Sequence, residues 1–389
     1  MQPSRNLAFW RDERFIQVLG QVIFLILLLI LGGYLLRNLR ANMQQQVLEF
    51  GFDFLRLTSG FDIGESIIPY DRGQTYLRAF TVGLLNTALV SGLGILIATL
   101  LGIVFGVARL SSNFLIQRLA RSYIELLRNI PLLVLLIFLY TGFFIKLPRV
   151  REAIELPGGT LLTNRGVAIP WGIPTETFDV YVIILGIGIL VAVILGAGLA
   201  WTGRKTGRVP LIPLWSSLAF ILVALAGWLL LSSPPLSPDL PAVQGLRLAG
   251  GKQLSPEFMA VLTGLAIYTS AFIADAVRAG IQAVSRGQVE AARSLGLTGY
   301  QVLRLVVFPQ AMRVIVPPLT SQYLNLIKNS SLAVAVGYPE LFHVSGTILN
   351  QSGRAVEMIT LVMATYLAIS LLTSAFMNWY NNRVRLVER

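Results

Sequence analysis

Apolar positions in this chain come in long, nearly unbroken runs rather than in stripes. Runs of roughly 20 residues with few charges predict membrane-crossing helices. Eight can be read, at about 16–36, 81–108, 120–147, 180–202, 211–232, 257–283, 311–337 and 357–381. The first follows several arginines, and no small-residue cleavage site comes after its apolar run Val22 to Leu31, so it reads as an uncleaved span. The connections after spans three and five are rich in proline and glycine. Pro148, Pro157, Gly158, Gly159, Pro170, Gly172 and Pro174 predict an irregular loop over 148–179, and Pro234, Pro235, Pro238 and Pro241 another over 233–256. Spans four and five, between these loops, are almost free of charge and read as a peripheral hairpin in lipid.

One connection departs from this pattern. Residues 285–309 carry the spacing of a short water-soluble helix pair. Ser285-Arg286-Gly287-Gln288 predicts a capping box, Gly296 a left-handed stop, and Thr298-Gly299-Tyr300-Gln301 a second capping box; Pro309 is expected to break or kink the second helix. Ala291, Ala292, Leu295 and Gly296 form a small, flat surface that another protein can approach closely. The plainer reading is an ordinary amphipathic helix on the membrane surface.

Composition agrees with the spans. The chain is 55% hydrophobic and 13% charged, where soluble domains carry about 25% charged residues. A net charge of +12 is explained by basic connections facing anionic lipid, without nucleic acid. With an N-terminus inside, 17 of the 31 Lys and Arg fall in segments 1–15, 109–122, 203–209, 278–313 and 383–389. That is about twice the density of the opposite side, which predicts cytoplasmic termini. Cysteine is absent and His343 is the single histidine, so thiol chemistry and a multi-histidine metal site are excluded. A polytopic membrane enzyme would lack most catalytic groups.

Polar residues inside the spans are the candidate transport groups, because ionisable side chains there face a cavity or a partner. Asp275 has two readings: an i,i+3 ion pair with Arg278, or a counter-charge for a substrate ammonium. Lys328-Asn329-Ser330-Ser331 interrupts span seven and is either a satisfied polar break or a cavity lining that offers hydrogen bonds to a polar substrate. Tyr268 and Ser270 precede Asp275 by one to two turns. Asn86, Thr87 and Arg128 complete the substrate-binding candidates; helix–helix hydrogen bonding and interfacial anchoring are their alternatives. His343 is assigned no function.

The 285–309 segment resembles a known signature. Glu290-Ala291-Ala292, three residues, Gly296, nine residues, Val306, one residue, Phe308 and Pro309 is similar to the coupling loop of permease subunits of ATP-binding-cassette importers, with Phe308 in place of the usual Leu. Gly83-Leu84-Leu85-Asn86-Thr87, Leu127-Arg128-Asn129-Ile130-Pro131, 271–281 and Lys328-Asn329-Ser330-Ser331-Leu332-Ala333 look like the polar amino acid branch of that family, over about 75–145 and 255–385. Asp275 stands where that family usually has Glu. An extra first span and a long insertion are similar to the larger general L-amino-acid permeases.

The resemblance implies an all-α, polytopic fold: a type I importer permease core at 79–147 and 255–389, an N-terminal extra span at 1–78, and an insertion at 148–254. It implies an ATPase-coupling surface of Gln288, Glu290, Ala291, Ala292, Arg293, Leu295 and Gly296. It implies a second homologous permease, two ATP-binding subunits, a periplasmic binding protein delivering an amino acid, and a place in the bacterial inner membrane. The chain has no Gly-x4-Gly-Lys-Ser/Thr phosphate loop; ATP and Mg are expected on the partner ATPase, with no cofactor in this chain. Loop 148–179 is expected to touch the binding protein. An ion-coupled secondary transporter using Asp275 is the alternative.

Overall fold

The computed structural model describes residues 13–45, 50–206 and 211–384. Arg5, Arg11, Arg208, Arg385 and Arg389, counted above for orientation, lie outside them. Seven helical stretches among the described residues are long and apolar enough to cross a membrane, and a bent helix pair makes eight if the pair counts as one span.

Two helices form the centre, α2 (Tyr76–Ala108) and α7 (Pro256–Gln282). They run side by side in the same direction: Gly94 sits beside Leu265, Gly102 beside Ile273 and Gly106 beside Val277. Gly94, Ala98, Gly102 and Gly106, all buried, recur every four residues, so one face of α2 has almost no side chain and the backbones approach closely. Gly92, on the same helix, is exposed with open space around it. It lies off the four-residue row.

α10 (Phe308–Asn329) returns antiparallel, with Ala311 and Ile315 against Gly280 and Leu326 against Gly94. α12 (Ala355–Val384) packs along it. The expected span 311–337 belongs to one helical path from Gly299 to Val336. Pro309 does not break it. A π turn over Leu303–Val307 precedes the proline and shifts the hydrogen-bond register, so its missing N–H falls within the first turn of α10.

The third predicted span is not a simple kinked helix. α3 (Phe114–Asn129) and α4 (Leu132–Phe138) meet at 103°. Pro131 holds Ile130 extended, at φ −94° and ψ 128°. α3 lies across the last turns of α7, and α4 runs toward the start of α7, where the Tyr140 hydroxyl donates to Glu257 Oε1 at 2.7 Å. Each half is too short to cross by itself.

The two Pro/Gly-rich loops, expected to be irregular, form short strands. β1 (Ile154–Leu156), β2 (Thr160–Thr163) and β3 (Gly166–Ile169) make an antiparallel sheet completed by β8 (Lys252–Leu254). β4 (Trp171–Pro174) pairs with β5 (Leu236–Asp239), and β6 (Ala242–Gln244) with β7 (Arg247–Ala249). Both loops therefore lie at one end of the bundle, where α7 begins. Between them, α5 (Phe178–Thr206) and α6 (Ile212–Leu230) pack mainly on each other, with Gly188 under Phe220 and Gly227 under Ile184. The rest of their surface is apolar and exposed, as a lipid-facing hairpin requires. The apolar stretch Phe15–Leu35 of α1 (Glu13–Gln45) is exposed as well.

Candidate functional site

At the end of the bundle opposite the strands, α8 (Arg286–Ser294) and α9 (Gly299–Val302) form the helix pair expected from the sequence. Its first cap differs. The Ser285 side chain accepts no backbone hydrogen bond, so no capping box forms there; only the Gln288 N–H reaches the Ser285 carbonyl, at 3.1 Å. The second box forms: the Gln301 N–H donates to Thr298 Oγ1, and the Thr298 N–H to Gln301 Oε1 at 2.8 Å. Gly296 adopts φ +77°. Its N–H reaches Arg293 O and the Leu297 N–H reaches Ala292 O, the paired bonds of a left-handed helix stop.

Packing divides this pair into two faces. Ala292, Val302 and Val307 are buried with Val289, Leu297 and Val306 against Ile281 and Val284 at the end of α7. Among the predicted coupling residues, Ala292 thus belongs to the internal contact. Gln288, Glu290, Ala291, Arg293, Leu295 and Gly296 face outward. Leu295 is 82% exposed, with Tyr300 also exposed nearby in sequence. A large aliphatic at the tip of a polar turn contributes nothing to this chain's own core, which fits a surface that a partner covers. Because α8 and α9 are braced on α7 and run into α10, a push on the tip acts on two helices of the bundle at once.

The predicted transport residues do not gather into one pocket. Asp275 is the hub of an ion cluster: Arg109 Nη1 donates to it at 2.8 Å, Arg278 Nη2 at 3.2 Å, and Arg128 Nη1 also donates to it. The Arg278 pair is the i,i+3 contact read from sequence; Arg109 and Arg128 come from α2 and α3. Three guanidinium groups around one carboxylate leave 3 − 1 = +2, so a substrate ammonium would compete with three cations already in place. Arg128 also lies 5.6 Å from the ring centre of Phe272, which packs on Tyr268. Ser270 is buried and satisfied, donating to Ile267 O at 2.7 Å and sharing a 2.7 Å bond with the Tyr123 hydroxyl.

Lys328–Ser331 stand elsewhere. Leu326 packs at the level of Leu265, ten residues and about 15 Å along α7 from Asp275. The α-helix ends at Asn329 and a 3-10 segment, Ser330–Val336, carries the chain on. Ser330 and Ser331 bond backward to Ile327 O and Lys328 O. Lys328 is exposed and Asn329 half-buried, and neither side chain meets a carboxylate among the described residues. Asn86 and Thr87, both buried, act as staples: Asn86 Nδ2 donates to Glu65 O and Pro339 O at 2.8 and 2.9 Å, and Thr87 Oγ1 accepts from the Leu341 N–H at 3.0 Å.

Sequence reading missed Glu340. It is fully buried, caps α11 (Leu341–Ser352) by accepting from the Phe342 and His343 N–H groups, and accepts from the Tyr366 hydroxyl at 3.1 Å. An acidic residue just before an apolar run, after Pro339, was the available signal. Arg109 was counted only as a basic loop residue, and nothing local links it to Asp275, 166 positions away.

A family model described as binding-protein-dependent transport system inner membrane component matches residues 94–386. The chain is 43% identical over 382 residues to the general L-amino acid transport system permease protein AapQ of Rhizobium johnstonii, covering 97% of this chain and 94% of that one. It is 44% identical over 379 residues to the putative amino-acid ABC transporter permease protein YhdX of Escherichia coli, covering 95% and 94%. It is 40% identical over 412 aligned positions to the glutamate/glutamine/aspartate/asparagine transport system permease protein BztB of Rhodobacter capsulatus, covering 97% and 96%.

Proposed function

From the premise that this chain belongs to the family of binding-protein-dependent transport system inner membrane components, we propose how it works as the permease subunit of an ATP-driven amino acid importer. It spans the membrane, makes no covalent chemistry of its own, and translocates L-amino acids. It pairs with a second, similar permease; two ATPase subunits, which carry ATP and Mg, dock at the α8–α9 end; a soluble binding protein delivers substrate at the strand end. Both termini are cytoplasmic, and the strands carry the expected contact of 148–179 with the binding protein.

The exposed tip of α8 carries this reading. Leu295 projects from a turn whose opposite face is bolted to α7. ATP-driven closure of the ATPase pair moves the tip, and α7 and α10 move with it, which alternates access to the path between the two permeases. Gln288, Glu290, Arg293, Leu295 and Gly296 make the contact, and Ala291 lets the partner approach closely.

Within the bundle the candidates take separate roles. Asp275 and Arg128 brace α2, α3 and α7. Thr87, Ser270 and Ser330 are satisfied staples, and Asn86 is a staple through its Nδ2 alone, its buried Oδ1 having no partner among the described residues. Lys328, Asn329, Ser331 and Tyr268 remain the residues for substrate contact, Lys328 toward the α-carboxylate and Asn329 toward the α-amino group. The test is co-purification with the ATPase and ATP-dependent uptake in vesicles. Glu290→Lys and Gly296→Asp should abolish both. Uptake that persisted without any ATPase would replace this reading with an ion-coupled carrier.

A further inference from the structure

α3 has one feature that transport of an amino acid does not use. Its outer face is apolar, with Leu115 63% and Leu119 62% exposed, and Ile116 alongside. Its other face is basic. Between that face and the ends of α2 and α7 lies a polar pocket of about 230 Å³ lined by Arg109, Arg118, Arg121, Arg278, Gln117 and Gln282. Phe114 forms its rim, with the Arg118 guanidinium 6.0 Å from the ring centre.

The charges around this pocket do not cancel. Arg109 and Arg278 hold Asp275 together with Arg128, and Arg121 holds Glu125 at 2.7 Å. Arg118 meets no carboxylate among the described residues. Five arginines against two carboxylates leave 5 − 2 = +3. Two of the cations are substantially withdrawn from solvent: the side chains of Arg109 and Arg278 are 19% and 30% exposed. These two already share Asp275 with Arg128, and Arg118 is exposed; the surplus of positive charge favours an anion, and planar guanidinium forks suit phosphate oxygens.

The anion's source follows from what surrounds the pocket. A helix with one basic and one apolar face lies in a membrane interface with its apolar side in the acyl chains. The α2 residues just before Arg109 are also apolar and outward-facing: Val104 and Val107 are exposed. Acyl chains therefore run alongside the mouth, and the pocket stands at headgroup level. We propose that this pocket binds the phosphate of an anionic phospholipid of the inner leaflet. Its assignment to the inner leaflet rests on the orientation proposed above; the binding itself does not.

The test is lipid retention by the full transporter complex, purified from membranes and read by native mass spectrometry. Bilayers contain either phosphatidylglycerol or phosphatidylcholine. Arg118→Gln and Arg121→Gln are chosen because neither touches Asp275, and Arg151→Gln at the strand end is the control. The intact complex should retain phosphatidylglycerol preferentially. Each substitution should lower retention about fivefold, and both together about 25-fold, the factor expected for one basic residue near an anionic surface. The control should change nothing. Retention unchanged in the double variant overturns the proposal. Full displacement by millimolar glycerol phosphate or inorganic phosphate overturns the lipid source in favour of a soluble anion. Loss of the ATPase with phosphatidylglycerol retained would make these arginines a protein contact instead. Failure of the importer reading would show as missing ATPase with lipid retention still sensitive to Arg118 and Arg121.

Discussion

Gly296 offers the sharpest test of how the α8 tip is built. Its φ is +77°, and an added Cβ would meet no atom within 4 Å. Substitution therefore brings no clash within this chain; only the backbone conformation matters. A non-glycine residue in the left-handed region costs about 1–2 kcal/mol, and Asn tolerates it better than Ala. A cost of that size lowers the population of the native turn by a factor of about 5–30. The two helix-stop bonds, from Gly296 N–H and Leu297 N–H, weaken with it. The assay is substrate-stimulated ATP hydrolysis by the reconstituted complex, with bound ATPase measured in parallel. Gly296→Ala should lower coupled hydrolysis about fivefold to thirtyfold, while Gly296→Asn keeps most of it. If Asn were as damaging as Ala, the glycine would serve close approach of the partner rather than the turn. If Ala were harmless, the turn would not matter for coupling.

Other outcomes follow from the same geometry. Leu295→Asp, at a site 82% exposed, should leave the thermal stability of the isolated permease unchanged and abolish ATPase co-purification; a drop in stability would place Leu295 in the core. Asp275→Ala leaves three arginines facing each other and should destabilise the protein by about 3 kcal/mol, read as a lower melting temperature in detergent; reduced substrate affinity at unchanged stability would make the carboxylate a substrate contact instead. Gly102→Val would overlap Ile273 and should cost about 1–3 kcal/mol by forcing α2 from α7, again visible in thermal unfolding. At the strand end, burial pushes the Glu65 carboxyl above its ordinary value of 4.5, partly offset by the Ser255 hydroxyl. The folded chain then holds this proton more tightly than the unfolded chain, so its stabilising contribution is full below that value and fades as pH rises through the raised one. Glu65→Gln should flatten that part of the stability–pH curve.

The spans were legible because each satisfies its own backbone and declares itself by local apolarity. The stop at Gly296 and the box at Thr298 were legible for the same reason, since each is closed by residues three or four apart. Ser285 shows the limit: its spacing fits a box, yet its hydroxyl accepts no backbone N–H. The strands escaped notice because they are only three or four residues long and broken by proline and glycine, and two of their pairings are distant: Val167 meets Leu254 and Trp171 meets Asp239. The Asp275 cluster escaped for a related reason. Its three arginines come from three helices, and only Arg278 is close in sequence. The bend at Ile130 was visible as a proline, but its 103° angle depends on what α3 lies against.

The pairing of Ile169 with Lys252 places the two ends of an eighty-residue excursion side by side on one small sheet. That excursion crosses the membrane twice, by α5 and α6, and returns to the end it left. An even number of crossings preserves the sidedness of everything downstream, including α8. A lineage could gain or lose the whole detour at this seam, closing it with a tight turn, without inverting the transporter. The seam also marks where a minimal version would be cut: joining β3 to β8 and testing for assembly would show whether the detour is an accessory or a necessity.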